Sequence, residues 1–514
     1  MNLPTRRVMA EPTTTRDIVA KLWNLCHILR DDGVTYHEYV TELTFLLFLK
    51  MMKETGREDI LPRDYRWDPL KKQAGPEQLD YYKRLLLALG TSGQGQIAAI
   101  FAGAQTTLRK GENLTALTNA IDKLDWFCAR TEGLGKLYEG LLEKNAAEKK
   151  SGAGQYFTPR PLVDCVVRLM KPRPGEIIQD PAAGTGGFLI AADHYIKDRV
   201  DRRFKTGLKR PGAFIGLELV PDTHRLCLMN LMLHGINGGV ESGDTLSPDG
   251  AALARADLIL TNPPFGAKKG AGLANRVDLS ITAETSNKQL AFVEHIVRAL
   301  KPGGRAAFVV PDNVLFEDHA GRKLRTWMMD LCEIHTILRL PTGIFYAAGV
   351  KTNVIFLVRG RTDRANTKAI WVYDLRNQIG PFGKSRPLSV TDFAEFEAAF
   401  GNDPYGRAQR TDQGEMGRFR CFTREHIKAR NGNLDIGWLR DTQEQADGHR
   451  DEPEDIAAAI AGHLKAALAA IEAATGELEG LKATPGRERD AAAHYLLEEG
   501  FIEFAKGQIE LTRL

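Results

Sequence analysis

The chain has 514 residues, too many for one ordinary domain and enough for two or three. Hydrophobic residues make up 43% and charged residues 26%, which excludes a disordered or fibrous chain and fits a globular one. A net charge of +3 permits nucleic-acid binding without arguing for it, and the longest apolar run, Leu43–Met52, is far short of the about 20 residues that span a bilayer.

Residues 14–148 carry helical periodicity, beginning with Ile18, Leu22, Leu25, Cys26 and Leu29 on one face. Similar patterns recur at Tyr39–Met52, Leu79–Leu89, Leu114–Phe127 and Leu134–Leu142, with Gly33, Gly56, Gly90 and Gly111 read as breaks. This predicts a helical domain over 1–149 without a catalytic signature. It would pack on the rest of the chain, touch DNA or bind a partner.

Over 150–380 the rhythm changes to alternating strands and helices, the pattern of a parallel sheet with crossover helices. Strands are predicted at 176–180, 213–218, 257–261, 305–310, 334–339, 353–358 and 369–374. Helices are predicted near 160–170, 187–199, 221–235, 288–300 and 320–331. The first strand ends in Asp180 and runs into Pro181-Ala182-Ala183-Gly184-Thr185-Gly186-Gly187-Phe188. Glycines at a strand-to-helix turn let backbone approach a ligand closely. The loop has neither the Lys-Ser/Thr ending of a phosphate-binding loop nor the dinucleotide pattern, and Asp180 before it suits a cationic amine.

The strand 257–261 stops at Asn262-Pro263-Pro264-Phe265, because a proline pair cannot continue a ladder. One reading is a tight turn and nothing more. The other places an amide, rigid carbonyls and an aromatic ring at a strand's carboxyl end, where open α/β sheets bind ligands. The Asn262 oxygen and the Pro263 carbonyl would accept both hydrogens of an exocyclic NH2 while Phe265 stacks on its ring. The Gly/Lys/Ala/Ser-rich stretch 265–287 is too long for a simple connection and is expected to order on DNA.

Residues 381–450 are a mixed connecting region. Residues 451–514 read as a C-terminal helical association region, with Ile456, Ile460, Leu464, Leu468, Ile471, Leu478 and Leu481 in an apolar stripe. That stripe suits a coiled-coil-like contact or packing on its own domain. The basic run Arg202–Arg210 reads as a solvated loop face. Six scattered cysteines suggest buried thiols and no disulfides, and twelve histidines without ligand spacing suggest no structural metal. With no signal peptide at its start, the chain is expected in the cytoplasm.

Taken together, the glycine loop and the Asn-Pro-Pro-Phe strand resemble the amino-group methyltransferases that use S-adenosyl-L-methionine. Further matches are Gly154-Gln155-Tyr156-Phe157-Thr158-Pro159-Arg160, Gly216-Leu217-Glu218, Gly243-Asp244-Thr245-Leu246, and Leu340-Pro341-Thr342-Gly343-Ile344-Phe345-Tyr346 leading to Gly349-Val350-Lys351-Thr352-Asn353. In this order they resemble the modification (M) subunit of type I restriction-modification systems, an adenine-N6 DNA methyltransferase family. The resemblance covers roughly residues 10–380 well and the remainder more loosely. It implies an α/β chain in three parts: an N-terminal helical domain, a Rossmann-like S-adenosylmethionine-dependent methyltransferase domain, and a helical C-terminal tail.

The resemblance also implies site roles. Asn262, Pro263, Pro264 and Phe265 would receive a flipped-out adenine, with Phe345 as an opposing wall or a core aromatic. Gln155, Tyr156, Phe157, Thr158, Pro159 and Arg160 would close over the methionine end of the cofactor. Asp180, Ala182, Gly184, Thr185, Gly186 and Gly187 would hold its methionine moiety, Glu218 its ribose hydroxyls and Asp244 its adenine amino group. Implied partners are double-stranded DNA, a specificity (S) subunit that reads the sequence, the restriction (R) subunit that cleaves and translocates, and a second M copy. Ribosomal RNA guanine or a protein glutamine amide is the alternative substrate, since both present planar NH2 groups to such motifs. A non-catalytic scaffold is the third reading, opposed by the intact Asp180, Glu218 and Asn262.

Overall fold

The computed structural model describes residues 15–25, 36–93, 95–124, 126, 138–141, 158–199, 212–236, 239–266, 276–345, 350–376, 382 and 386–439. The chain divides between Thr442 and Gln443 into two units, and all described residues lie in the first. The stripe Ile456–Leu481 and the run Arg202–Arg210 lie outside the described residues.

Toward the amino end stand the helices Thr15–Asn24, Tyr36–Glu54, Gly75–Ser92, Gln96–Phe101 and Gly111–Asp122. Consecutive residues Phe45 to Leu49 are all fully buried, so the helix Tyr36–Glu54 is enclosed on every side at that level. Gly90 does not break the helix Gly75–Ser92 but sits inside it. A Cβ there would come 2.4 Å from the Phe101 carbonyl oxygen, so the glycine serves a close helix approach. This helical core is continuous with Leu228, Met229 and Met232 of the helix Pro221–Leu233. Arg225 of that helix donates to the Ile100 and Ala102 carbonyls at 2.8 and 3.0 Å, and Arg57 donates to the Met232 carbonyl at 2.7 Å. Of the roles open to the helical region, packing on the rest of the chain is therefore one that it performs.

Among the described residues, nine strands form one sheet: β1 Ile178–Asp180, β2 Phe214–Glu218, β3 Gly239–Ser242, β4 Ala256–Thr261, β5 Leu300–Pro311, β6 Cys332–Leu340, β7 Thr352–Arg359, β8 Ala369–Asp374 and β9 Phe419–Thr423. Their order is β3-β2-β1-β4-β5-β7-β6-β8-β9. All seven expected strands are present. The expected parallel sheet is mixed, however, because β7 runs antiparallel to both β5 and β6, and β9 antiparallel to β8. The connection from Leu340 to Thr352 is too short for a crossover helix, so β7 folds back beside β6 as a hairpin. β3 escaped the pattern reading because its one buried residue is Val240. β9 comes from the stretch read as mixed, and its pairing with β8 extends the sheet past residue 380.

Both faces of the sheet are covered. Leu258, Leu260, Ala307, Val309, Val354 and Phe356 point into one core, with the helices Arg160–Met170, Gly187–Arg199 and Ala394–Phe400. Their neighbours Ile259, Ala306, Phe308, Val310, Ile355 and Leu357 point into the other, with Lys288–Ala299 and Ala320–Leu331. Strands buried on both faces read as unbroken apolar runs, which is why these were legible. Cys165, Cys227 and Cys332 are buried free thiols, as expected.

Candidate active site

β1 lies between β2 and β4, and chain order reverses there, so a crevice opens beyond the carboxyl ends of these parallel strands. Three sequence motifs end at this one edge. Asp180 closes β1, Glu218 closes β2, and Asn262 follows the last residue of β4.

The glycine loop joins β1 to the helix Gly187–Arg199. The Ala183 amide donates to the Leu217 carbonyl at 2.9 Å and the Gly186 amide to the Ala183 carbonyl at 2.8 Å. Gly184 and Gly186 have φ of 56° and 79°, the left-handed region that glycine adopts without steric cost. A Cβ on Gly186 would crowd Cys227 Sγ at 3.1 Å, whereas one on Gly187 would meet nothing within 4 Å. The loop is therefore tight toward the protein and open on its other side. From the helix Pro221–Leu233, Asn230 Nδ2 donates to the Thr185 carbonyl at 2.9 Å and fixes the loop from behind.

Two carboxylates face this loop. Glu218 accepts from the Gly184 amide through Oε2 and from the Val220 amide through Oε1, both at 2.9 Å. It is 9% exposed, and burial holds its carboxyl above the usual range. Asp180 is 2% exposed and accepts from the Ala182 amide at 3.1 Å. Burial first, and the nearby Glu218 charge in addition, push its carboxyl up to about 7. A buried acid poised there gains by meeting a cation. After β3, Asp244 Oδ1 accepts from the Leu246 amide at 2.8 Å, which shapes the turn. Thr245 Oγ1 hydrogen-bonds the Pro181 carbonyl and so joins that turn to the glycine loop.

On the other side of the crevice, Asn262 Nδ2 donates to Thr158 Oγ1 at 3.0 Å. This orients the amide, with its nitrogen toward the segment that precedes the helix Arg160–Met170 and its oxygen turned away from it. Pro263 is buried, and Phe265 lies edge-on to Phe345 with centroids 6.2 Å apart and planes at 72°. Phe345 is 3% exposed, so it is a core aromatic and also a neighbour of the turn. Pro159 caps the start of the helix, while Arg160 pairs with Glu139 at 2.7 Å and Asp164 at 2.9 Å. Gln155, Tyr156 and Phe157 lie outside the described residues.

Sequence reasoning missed the Thr158–Asn262 bond, the Asn230 brace and the exposed apolar pair Leu219 and Val220 beside Glu218. Two apolar side chains at 58% and 37% exposure directly after a strand-end acid were the available signal for the last of these. The residues fit a ligand with a cation, a pair of hydroxyls and a flat apolar ring: a buried acid, a second acid, an open glycine surface and an exposed apolar step. The expectation that 265–287 waits for DNA to order is corrected in part. Residues 276–287 are already held by the chain's own contacts, with Thr282 donating to Glu294 and Asn287 Oδ1 capping the helix Lys288–Ala299.

A model of the N-6 DNA methylase family matches residues 129–448. The chain belongs to this family. The type I restriction enzyme StySPI methylase subunit of Salmonella potsdam is 45% identical, over 94% of this chain and 98% of its own length. Among solved structures, the M protein of the type I restriction enzyme EcoKI is 42% identical with a TM-score of 0.52, covering 94% of this chain and 99% of that one. A chain from a study of assembly and conformational transition of the type I restriction-modification system is 27% identical with a TM-score of 0.66, covering 91% and 99%. As an N-6 DNA methylase the chain is an adenine-specific methyltransferase, and its family and fold imply S-adenosylmethionine use. Ribosomal RNA guanine and protein glutamine are not favoured as substrates.

Proposed function

We propose that this methylase is the modification subunit of a type I restriction-modification complex, transferring a methyl group from S-adenosyl-L-methionine to N6 of an adenine flipped out of double-stranded DNA. The observation that carries the reading is the convergence of Asp180, Glu218 and Asn262 at the carboxyl ends of β1, β2 and β4, beside an open glycine loop. S-adenosylmethionine supplies an electrophilic methyl group on a sulfonium. Asp180 and the loop Ala182–Gly187 hold its amino-acid end, Glu218 its ribose, and Leu219 with Asp244 the two aspects of its adenine. Thr158 orients Asn262 between cofactor and target.

The target amino group is a poor nucleophile because its lone pair is delocalised into the ring. The Asn262 oxygen and the Pro263 carbonyl accept its two hydrogens and favour a pyramidal nitrogen, while Phe265 stacks on the ring and offsets part of the unstacking cost. Held in this way, the nitrogen lone pair would point at the methyl carbon that bound S-adenosylmethionine supplies, the new C–N bond replacing the carbon–sulfur bond, and the proton would leave afterwards to solvent. No general base is needed, so the catalysis is orientation and electrostatics. Sequence reading falls to a specificity subunit and cleavage to a restriction subunit, with a second methylase copy completing the complex, which works in the cytoplasm. Co-expression with a specificity subunit followed by methylome sequencing tests the reading. N6-methyladenine at one defined motif, absent when Asn262 is replaced, is expected; methylation confined to RNA or protein would overturn it.

A further inference from the structure

Arg276 is 4% exposed and lies at the start of the leg 276–287, which follows the Asn-Pro-Pro-Phe turn in the chain. Its guanidinium forks onto both oxygens of Asp278, with Nε to Oδ1 at 2.8 Å. Nη1 donates to the Thr245 carbonyl and to His295 Nδ1, both at 2.8 Å. A ring nitrogen that accepts from arginine belongs to a neutral imidazole, and burial holds His295 down at about 3. Thr245 in turn reaches Pro181, so one side chain ties the leg to both loops of the cofactor crevice. An apolar contact runs beside it: Leu279 of the leg packs with Leu246, Ala291 and Phe292, and Ala182 of the glycine loop leans on them. The far end of the leg returns to the target side, where the Lys288 amide donates to the Gly266 carbonyl at 3.3 Å, one residue past Phe265. A Cβ on Gly250 would sit 2.0 Å from the Thr245 carbonyl oxygen and 2.7 Å from Arg276 Nη1, so that position is kept small for the contact between the two.

Burying a guanidinium is a poor way to gain stability, since a well-packed apolar residue does as well or better. We propose that Arg276 is a positioning residue that couples occupancy of the cofactor crevice to the leg 276–287 behind the target-base turn. Cofactor in the crevice steadies the Asp180–Gly187 and Asp244–Ser247 loops, and the Thr245 carbonyl passes that constraint through Arg276 to the leg. The coupling is reciprocal, as any binding linkage must be. The inference rests on the cofactor reading above.

Hydrogen exchange on the full chain, with and without S-adenosylhomocysteine as a non-reacting probe, tests both separately. In the wild type the probe should slow exchange at Gly184–Gly187 and, by about fivefold or more, at 276–287. In Arg276→Gln the first effect should persist and the second vanish, and Arg276→Lys, with charge but no fork, should keep only part of it. A purely structural role would speed exchange of the leg in the free protein but leave the ratio between bound and free unchanged, and that result would overturn the proposal. So would protection of the glycine loop without the leg in the wild type. Protection at neither segment would overturn the cofactor reading together with this one.

Discussion

Asn262 and Glu218 stand at the same sheet edge but should fail in opposite ways. In the proposed reaction Asn262 faces the target amine, and its contacts matter most as the nitrogen turns pyramidal. Asn262→Ala should lower the methyl-transfer rate by about 10²-fold or more while cofactor affinity stays near the wild-type value. A near-wild-type single-turnover rate would remove Asn262 from the reaction. Glu218→Ala loses a charged acceptor and also strands the Gly184 and Val220 amides it holds. Loss of such bonds typically costs about 1.5–3 kcal/mol, so calorimetry should show cofactor binding weakened roughly tenfold or more.

Asp180 adds a pH dependence at the same scale. Its carboxyl lies at about 7 in the fold against 3.8 ordinarily, so the folded state keeps a proton that the unfolded chain has already released. Its contribution to stability is full below about 4 and is lost as pH rises through about 7. Thermal unfolding of the cofactor-free protein should show this slope, and Asp180→Asn should flatten it. A variant with the wild-type slope would assign the dependence to another group.

At the scale of elements, the β6–β7 hairpin that carries Phe345 is held by a partly buried ion pair. Arg376, after β8, pairs with Asp312, after β5, at 2.9 Å, and donates to the Leu340 and Thr352 carbonyls at 2.9 and 3.0 Å at the two ends of the hairpin loop. Asn353 Nδ2 donates to the same Asp312 at 2.8 Å. Removing one partner of such a pair leaves the other largely desolvated and without its counter-charge, at a cost that approaches the about 3 kcal/mol typical of fully buried pairs. Arg376→Ala should therefore shift the urea midpoint substantially, and in protein that remains folded it should weaken target binding before cofactor binding. Equal midpoints for the two proteins would show that the hairpin is held by other contacts.

For the whole molecule, a net charge of +3 supplies little phosphate attraction, and specific DNA binding requires base-edge contacts as well. The isolated chain should bind cofactor yet methylate DNA poorly until its specificity partner is added. Robust site-specific methylation by the chain alone would refute this division of labour. Truncation after about Arg450 removes the apolar stripe Ile456–Leu481 and should leave cofactor binding intact while abolishing assembly, as judged by size-exclusion chromatography. A truncated chain that still assembles would refute only that docking surface.

The sequence by itself determined the seven strands that are buried on both faces, because a strand enclosed by helices must be apolar along its length and is bounded by turn residues. It also placed two acids and an amide at the ends of three of them: Asp180, Glu218 and Asn262 are the residue types that a cation, a diol and an amine would require of their neighbours. Tertiary structure decided what depends on partners distant in the chain. The reversal of β7 followed from a connection too short to cross over, and the edge strands β3 and β9 from pairing that their weak patterns did not announce. Gly90 reads as a break along the chain and acts as a contact in space. The Thr158–Asn262 bond spans 104 residues and the Arg276–Thr245 bond 31, and no local periodicity encodes either. Buried polar contacts of this kind are specified by geometry in three dimensions, since each is stable only when the fold has already brought donor and acceptor out of water together.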